Sequence, residues 1–230
     1  MTVLVDFEIK RMVEEGEIII SPYEPENVNS GSVDIRLGEN YFMETMRLSA
    51  EEGRLINPWG KRSAERMWGK PLKAVEAYTI FSEYLLNEYE LQMHDRIIVL
   101  ESGKTILGHT LEFIGGRTCV ITQMQARSSI GRVCVEICKC AGWGDHGYCN
   151  RWTMEITNNA EHHDLILIVG RRVGQIVFIE TSVPTHIYSS SGKYQAVDDL
   201  DELKAAWKPE MMLPQLWKDR ELTTQAVLRP

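Results

Sequence analysis

The sequence predicts an all-β domain, a sandwich or a barrel, on three observations. Short β-rich segments recur from 78 to 187, at 78–84, 96–100, 105–113, 118–124, 133–140, 151–157, 164–169 and 173–180, broken by Gly, Asn and Asp. Few stretches carry helical periodicity, and no repeat of fixed period interrupts the pattern. A chain of 230 residues, 43% hydrophobic, is enough for one large domain with an appendage.

The elements follow in order. Residues 6–16 read as a short amphipathic helix with Phe7, Ile9, Met12 and Val13 as apolar members, stopped by Gly16. Ile18-Ile19-Ile20 is a β-branched run ended by Ser21-Pro22, and Ser32 to Leu37 alternates like a half-buried strand. Residues 49–75, charged and broken by Pro58 and Pro71, read as loop with one helical turn. After the β-rich region, Ser189-Ser190-Ser191-Gly192 has the composition of a hinge. Residues 198–207 then look helical, with Leu200, Leu203 and Trp207 three and four apart, and Trp217 is a second large anchor. This tail is too short for a core of its own, so it docks on the main body, a neighbouring subunit or another protein.

Composition excludes several classes. A net charge of −8 opposes broad attraction to nucleic acid, although a local basic pocket for a phosphate ligand is compatible with it. No apolar run approaches the ~20 residues of a membrane helix, and acids at Asp6 and Glu8 stand where a signal peptide would be basic. Five cysteines, an odd number, point to free thiols in a reducing cytoplasm.

Three polar interruptions carry candidate chemistry. Arg127-Ser128-Ser129-Ile130-Gly131-Arg132 offers guanidinium forks, hydroxyls and a glycine, which suit phosphate oxygens. On composition alone a polar turn with solvated arginines is the better reading. Asp145-His146-Gly147-Tyr148 reads as a hairpin tip, whose tyrosine could pack under a deoxyribose. Glu155 alternates with Trp152, Met154 and Ile156, which puts it on the face it shares with Arg151, Thr153 and Thr157. That face is solvated unless something covers it, and proton transfer by Glu155 needs it partly buried. Two other motifs fail. Gly103-Lys104-Thr105 lacks the phosphate-loop glycine five residues earlier, where Ile98 stands. Cys138, Cys140, His146 and Cys149 contain no C-x-x-C pair, so buried free thiols are expected in place of zinc.

Together these segments resemble the dCTP deaminase branch of the dUTPase superfamily, from about residue 6 to 195. Val33-Asp34-Ile35-Arg36-Leu37-Gly38 resembles its V-D-x-R-L-G motif, and Arg127 to Arg132 its R-S-S-L-x-R motif. Ala141 to Tyr148 resembles its hairpin, Thr153 to Asn158 its L-E-x-x-N strand, and Gly170 to Phe178 its G-x-x-I-G-Q segment. Tyr188 with Ser191 to Gln195 resembles the C-terminal phosphate-covering segment.

The resemblance implies a distorted β-barrel of jelly-roll type, homotrimeric, with active sites between subunits. It implies a β domain over 1–187, a flexible phosphate-covering segment over 188–196 and a helical extension over 197–230. By the same resemblance Glu155 is the general acid–base, and Ser128 and the Ala141 carbonyl position the water. Arg132 supports the glutamate, while Arg127 and Ser129 hold phosphate. Asp145 and Tyr148 meet the sugar, and Gln175, Tyr188 and Lys193 reach the triphosphate. Magnesium rides on the triphosphate and no zinc takes part. The implied reaction is deamination of dCTP to dUTP. A bifunctional enzyme that continues to dUMP and pyrophosphate is the alternative, favoured by Gly142-Trp143, and a non-enzymatic nucleotide-binding trimer is the third reading.

Overall fold

The computed structural model describes residues 1–45, 55–188, 192–195 and 197–219. Strand β1 (Thr2–Val3) precedes helix α1 (Asp6–Glu14), then β2 (Ile18–Ser21), β3 (Val28–Asn29), β4 (Ser32–Arg36) and β5 (Asn40–Met43). Helix α2 (Lys61–Trp68), β6 (Leu72–Lys73), β7 (Val75–Glu76) and α3 (Glu83–Glu88) follow. Then come β8 (Arg96–Leu100), β9 (Thr105–Gly116), β10 (Val120–Ala126), α4 (Ser128–Arg132) and β11 (Val135–Glu136). The chain continues through β12 (Trp143–Gly144), β13 (Cys149–Asn158), β14 (Leu165–Ile168) and β15 (Arg172–Glu180) to α5 (Leu200–Ala206).

The strands build three antiparallel sheets. One runs β12-β10-β15-β4-β3 with β1 beside β15, the second β11-β13-β9-β5-β6 with β2 beside β9, and the third β14-β8-β7. The described strands of each sheet end at open edges, so the distortion of the expected barrel is its division into facing sheets. Between them lies the main core, in which Ile35, Ile106, Met154, Ile156, Ile176 and Phe178 are all at most 1% exposed. Each such side chain contributes roughly 1.5–3 kcal/mol by leaving water.

Several expectations need correction. Helix α1 buries Ile9 and Met12 but leaves Phe7 exposed, since the helix turns only one stripe inward. Strand β4 is buried on both faces, because Asp34 is covered by the Arg127 and Arg172 side chains. The described part of 49–75 holds a two-turn helix, anchored by buried Ala64 and Trp68, and 46–54 lie outside the described residues. Residues 78–84 are not strand: a 3-10 turn ends at Thr79, and α3 starts at Glu83, where Ser82 caps it by accepting a hydrogen bond from the Leu85 N–H. Of 133–140 only Val135–Glu136 is strand. Cys134 and Cys140 take positive φ (63° and 57°) and bend the chain out of extension. The thiols are accordingly not all buried: Cys134 and Cys140 are exposed, and only Cys149 is fully enclosed.

Gly38 shows why its motif ends in glycine. A Cβ there would lie 2.0 Å from the His109 ring. That ring is locked in a single hydrogen-bonding role: Nδ1–H donates to the Thr110 carbonyl (2.7 Å) and Nε2 accepts from the Asn40 N–H (3.2 Å). Burial holds the imidazole neutral, with its pKa lowered to about 4.

Candidate active site

Glu155 stands in β13 directly opposite Leu107 of β9, on the face away from the main core. Sequence alternation alone leaves that face in water. Two appendages cover it. Helix α2 contributes Trp68, and the C-terminal tail contributes Met212 and Leu213, which pack with Trp68, Phe42 and Leu107. A bulge between Arg151 and Thr153 keeps Arg151, Thr153 and Glu155 looking into the covered space. The result is a cavity of about 530 Å³, within the ~300–1,000 Å³ range of ligand pockets.

The two sides of the cavity differ in chemistry. On the β11 side the chain turns at Cys140 and brings Ala141, Trp143 and Asp145 to the rim. Gly142 is required there, since a Cβ would meet the Met124 carbonyl oxygen at 2.5 Å, against the backbone to which Gly142 bonds. On the β9 side the wall is Trp68, Leu107, Trp207, Met211, Met212 and Pro214, apolar throughout.

Glu155 is half-buried, and burial pushes its carboxyl above the usual carboxylate range. The Lys139 N–H, 3.4 Å from Oε2, and the Lys139 charge act in the opposite direction. Arg132, which the resemblance places in support of the carboxyl, is exposed on α4 and lies outside the cavity lining. Tyr148 packs edge-on against Trp152 (5.2 Å) and Tyr188 (5.2 Å). Its phenol is pushed up by burial. Asp145 accepts from the Trp143 indole N–H at 3.2 Å.

Above Tyr148 the C-terminal segment is pinned. The Asn150 amide donates to the Tyr194 carbonyl (2.8 Å), Gln195 accepts from the Cys149 N–H (2.7 Å), and the Tyr194 N–H donates to the Tyr188 hydroxyl (3.2 Å). Lys193 is ion-paired with Asp219 of the tail. The expected hinge at Ser189 to Ser191 lies outside the described residues.

Six of the eleven site residues expected from sequence therefore meet in one cavity: Glu155, Ala141, Asp145, Tyr148, Tyr188 and Lys193. Arg127, Ser128, Ser129, Arg132 and Gln175 do not line it. They belong to the other large sheet and the α4 turn at its end, with Gln175 opposite Gln125. There buried Asp34 accepts from Arg172 at 3.0 Å and holds Arg127 at 3.4 Å, while Gln175 accepts from the Ser32 hydroxyl at 3.4 Å. Sequence reading missed Asp34 as the organiser of these arginines. It also missed Trp207, Met211 and Met212 as pocket wall, although the helical spacing of the tail had marked Trp207 as an anchor. Arg151 and Thr153 were signalled by their alternation with Glu155.

The cysteine set weighed for zinc is dispersed. The His146 ring pairs with the Thr181 hydroxyl (2.5 Å), and Cys149 packs with Phe113 and Leu203. Among the described residues no three His, Cys, Asp or Glu side chains group as metal ligands. Nor is any described helix long and apolar enough to cross a membrane.

Comparison with known proteins returns one family. A model described as dCTP deaminase-like matches residues 3–181. The chain is 30% identical over 184 residues to a protein of Methanococcus aeolicus named dCTP deaminase, dUMP-forming, covering 80% of this chain and 86% of that one. A protein of the same name from Methanosphaerula palustris is 26% identical over 195 residues, covering 84% and 90%. Among solved structures, 2'-deoxycytidine 5'-triphosphate deaminase from Agrobacterium tumefaciens shares the fold with a TM-score of 0.52 at 16% identity. That match covers 76% of this chain and 47% of the solved one, so the chain spans about half of it.

Proposed function

The chain belongs to the dCTP deaminase-like family, and from that premise we propose that it is an enzyme converting dCTP through dUTP to dUMP. The observation that carries the reading is the half-buried Glu155 sharing one cavity with Ala141, Asp145, Tyr148 and Lys193. This reading takes up the bifunctional alternative from the sequence, ahead of the expectation that stopped at dUTP. Relatives named as dUMP-forming span most of this chain and favour the bifunctional alternative, in keeping with Gly142-Trp143 at the rim.

Water is a weak nucleophile, so a carboxylate must take its proton as it adds to C4 of cytosine. Glu155 passes that proton to N3, and collapse of the adduct expels ammonia, leaving dUTP. Burial suits the carboxyl to both halves of the cycle, because it brings the pKa toward the working pH. The Ala141 carbonyl and Ser128 orient the water, Asp145 binds the sugar hydroxyl, and Tyr148 packs beneath the sugar. A second water then releases pyrophosphate from dUTP. Magnesium arrives on the triphosphate as part of the substrate, completed by water and at most one or two carboxylates.

The separation of the two sets of site residues supports a homotrimer with shared active sites. One chain supplies Glu155, Ala141, Asp145 and Tyr148, and its neighbour brings Arg127, Ser128, Ser129 and Arg132, with Gln175 on the same sheet. Incubation with dCTP and magnesium, resolved by chromatography, tests the activity. The expected products are dUMP, pyrophosphate and ammonia. Accumulation of dUTP without dUMP would restrict the enzyme to deamination, and unchanged dCTP would remove the activity.

A further inference from the structure

A second, smaller cavity of about 270 Å³ opens where the tail crosses β9 and β13. Its walls are Pro22, Leu111, Phe113 and Trp207, and its polar groups are Ser21, Lys204 and Arg151. No described carboxylate lines it. Arg151 is unusual among the described cations. Its guanidinium carbon lies 5.0 Å from the centre of the Phe113 ring and 4.6 Å from that of Trp207, and its Nε is buried without an acceptor. The two carboxylates whose field reaches it are engaged elsewhere: Glu112 with Arg36 (2.6 Å), and Glu39 with Lys73 (3.0 Å) and Arg96. Among the described residues, the ion-pair partner of Lys204 is the surface carboxylate Asp201, at 3.4 Å.

Burying a cation with unmet donors is costly, and an anion bound to it removes that cost. The arginine fork matches the donor geometry that a planar or tetrahedral oxyanion requires. The volume falls below the ~300 Å³ at which pockets for drug-sized ligands begin.

We propose that this cavity binds a small oxyanion of the phosphate class, held by Arg151 of β13 and Lys204 of α5. Such an anion ties the tail to the sheet beside Trp207. Because Trp207 and Arg151 also line the substrate cavity, occupancy stiffens the wall of that cavity. Free phosphate and released pyrophosphate carry the same chemistry. The proposal does not depend on the deaminase reading.

The test is a thermal melt of the full-length protein titrated with inorganic phosphate or pyrophosphate, against chloride at matched ionic strength. A saturable rise in Tm is expected, weakened at least tenfold in apparent affinity by Lys204→Met and by Arg151→Met, and retained in Lys193→Met. Tighter response to pyrophosphate identifies the product as the source; equal or tighter response to phosphate identifies the free ion. Should Arg151→Met not fold, Lys204→Met and Ser21→Ala decide the matter. No response beyond chloride, or a response lost in Lys193→Met and intact in Lys204→Met, would overturn the proposal.

Discussion

Replacing Glu155 with Gln separates shape from proton transfer. The amide fills the same space but cannot cycle a proton, so kcat should fall about 10²–10⁴-fold or more while dCTP still binds. Retention of turnover would remove Glu155 from the chemistry. Because burial raises its pKa and the Lys139 charge lowers it, the acidic limb of the rate profile should lie above the ordinary glutamate range. Lys139→Ala should move it higher. A separate acid sensitivity belongs to His109, whose pKa falls to about 4 in the fold from 6.5. The unfolded chain binds the extra proton first, so this stability is complete above about pH 6.5 and is lost as pH falls toward 4. The loss amounts to about 3 kcal/mol. Melting curves of His109→Gln should show less decline over that window than the parent; equal decline would assign the sensitivity elsewhere. Residues of this kind were unequally legible. The phase of Glu155 followed from alternation with Trp152 and Met154. The burial of His109 did not, because it depends on Gly38 and Trp207 meeting it from far along the chain.

Elements with alternation, β13 and β15, were readable because one face enters the core. The stretches at 78–84 and 133–140 were not. Their apolar residues anchor short helices and turns, and in so short a run β-branched or aromatic content does not separate strand from helix. The tail was legible as a helix, but its destination was not. Within its own chain Trp207 lies over Arg151 and His109. Stopping the chain at Ala196 removes Leu203, Met212 and Leu213, each buried against the second sheet. At roughly 1.5–3 kcal/mol per side chain, Tm should fall steeply and the apolar wall of the cavity should open. An unchanged Tm would mean that the tail packs elsewhere in solution. Within the tail, Asp219→Asn frees Lys193 from its ion pair. The KM for the triphosphate should then drop several-fold with little change in kcat, whereas a rise in KM would show that Asp219 helps to place the lysine.

At the scale of the molecule, the jelly-roll expectation was legible because sheet pairing follows from many concordant strands. The assembly of the site was less so, since linear order puts Ser128 only 27 residues before Glu155 (155 − 128) while the fold puts Ser128 on α4 and Glu155 on β13, outside one another's cavity lining. That division has a genetic corollary. If the sites are shared as proposed, Glu155→Gln and Arg127→Ala chains should each be inactive as pure trimers, because every site lacks one partner. Co-refolded in equal amounts, a cyclic trimer regains intact sites wherever an Arg127→Ala chain supplies the glutamate and a Glu155→Gln neighbour supplies the arginine. Random mixing gives about a quarter of the sites. Two recessive lesions would thus complement between alleles, and recovery of activity from two dead proteins would count the subunits needed for each turnover.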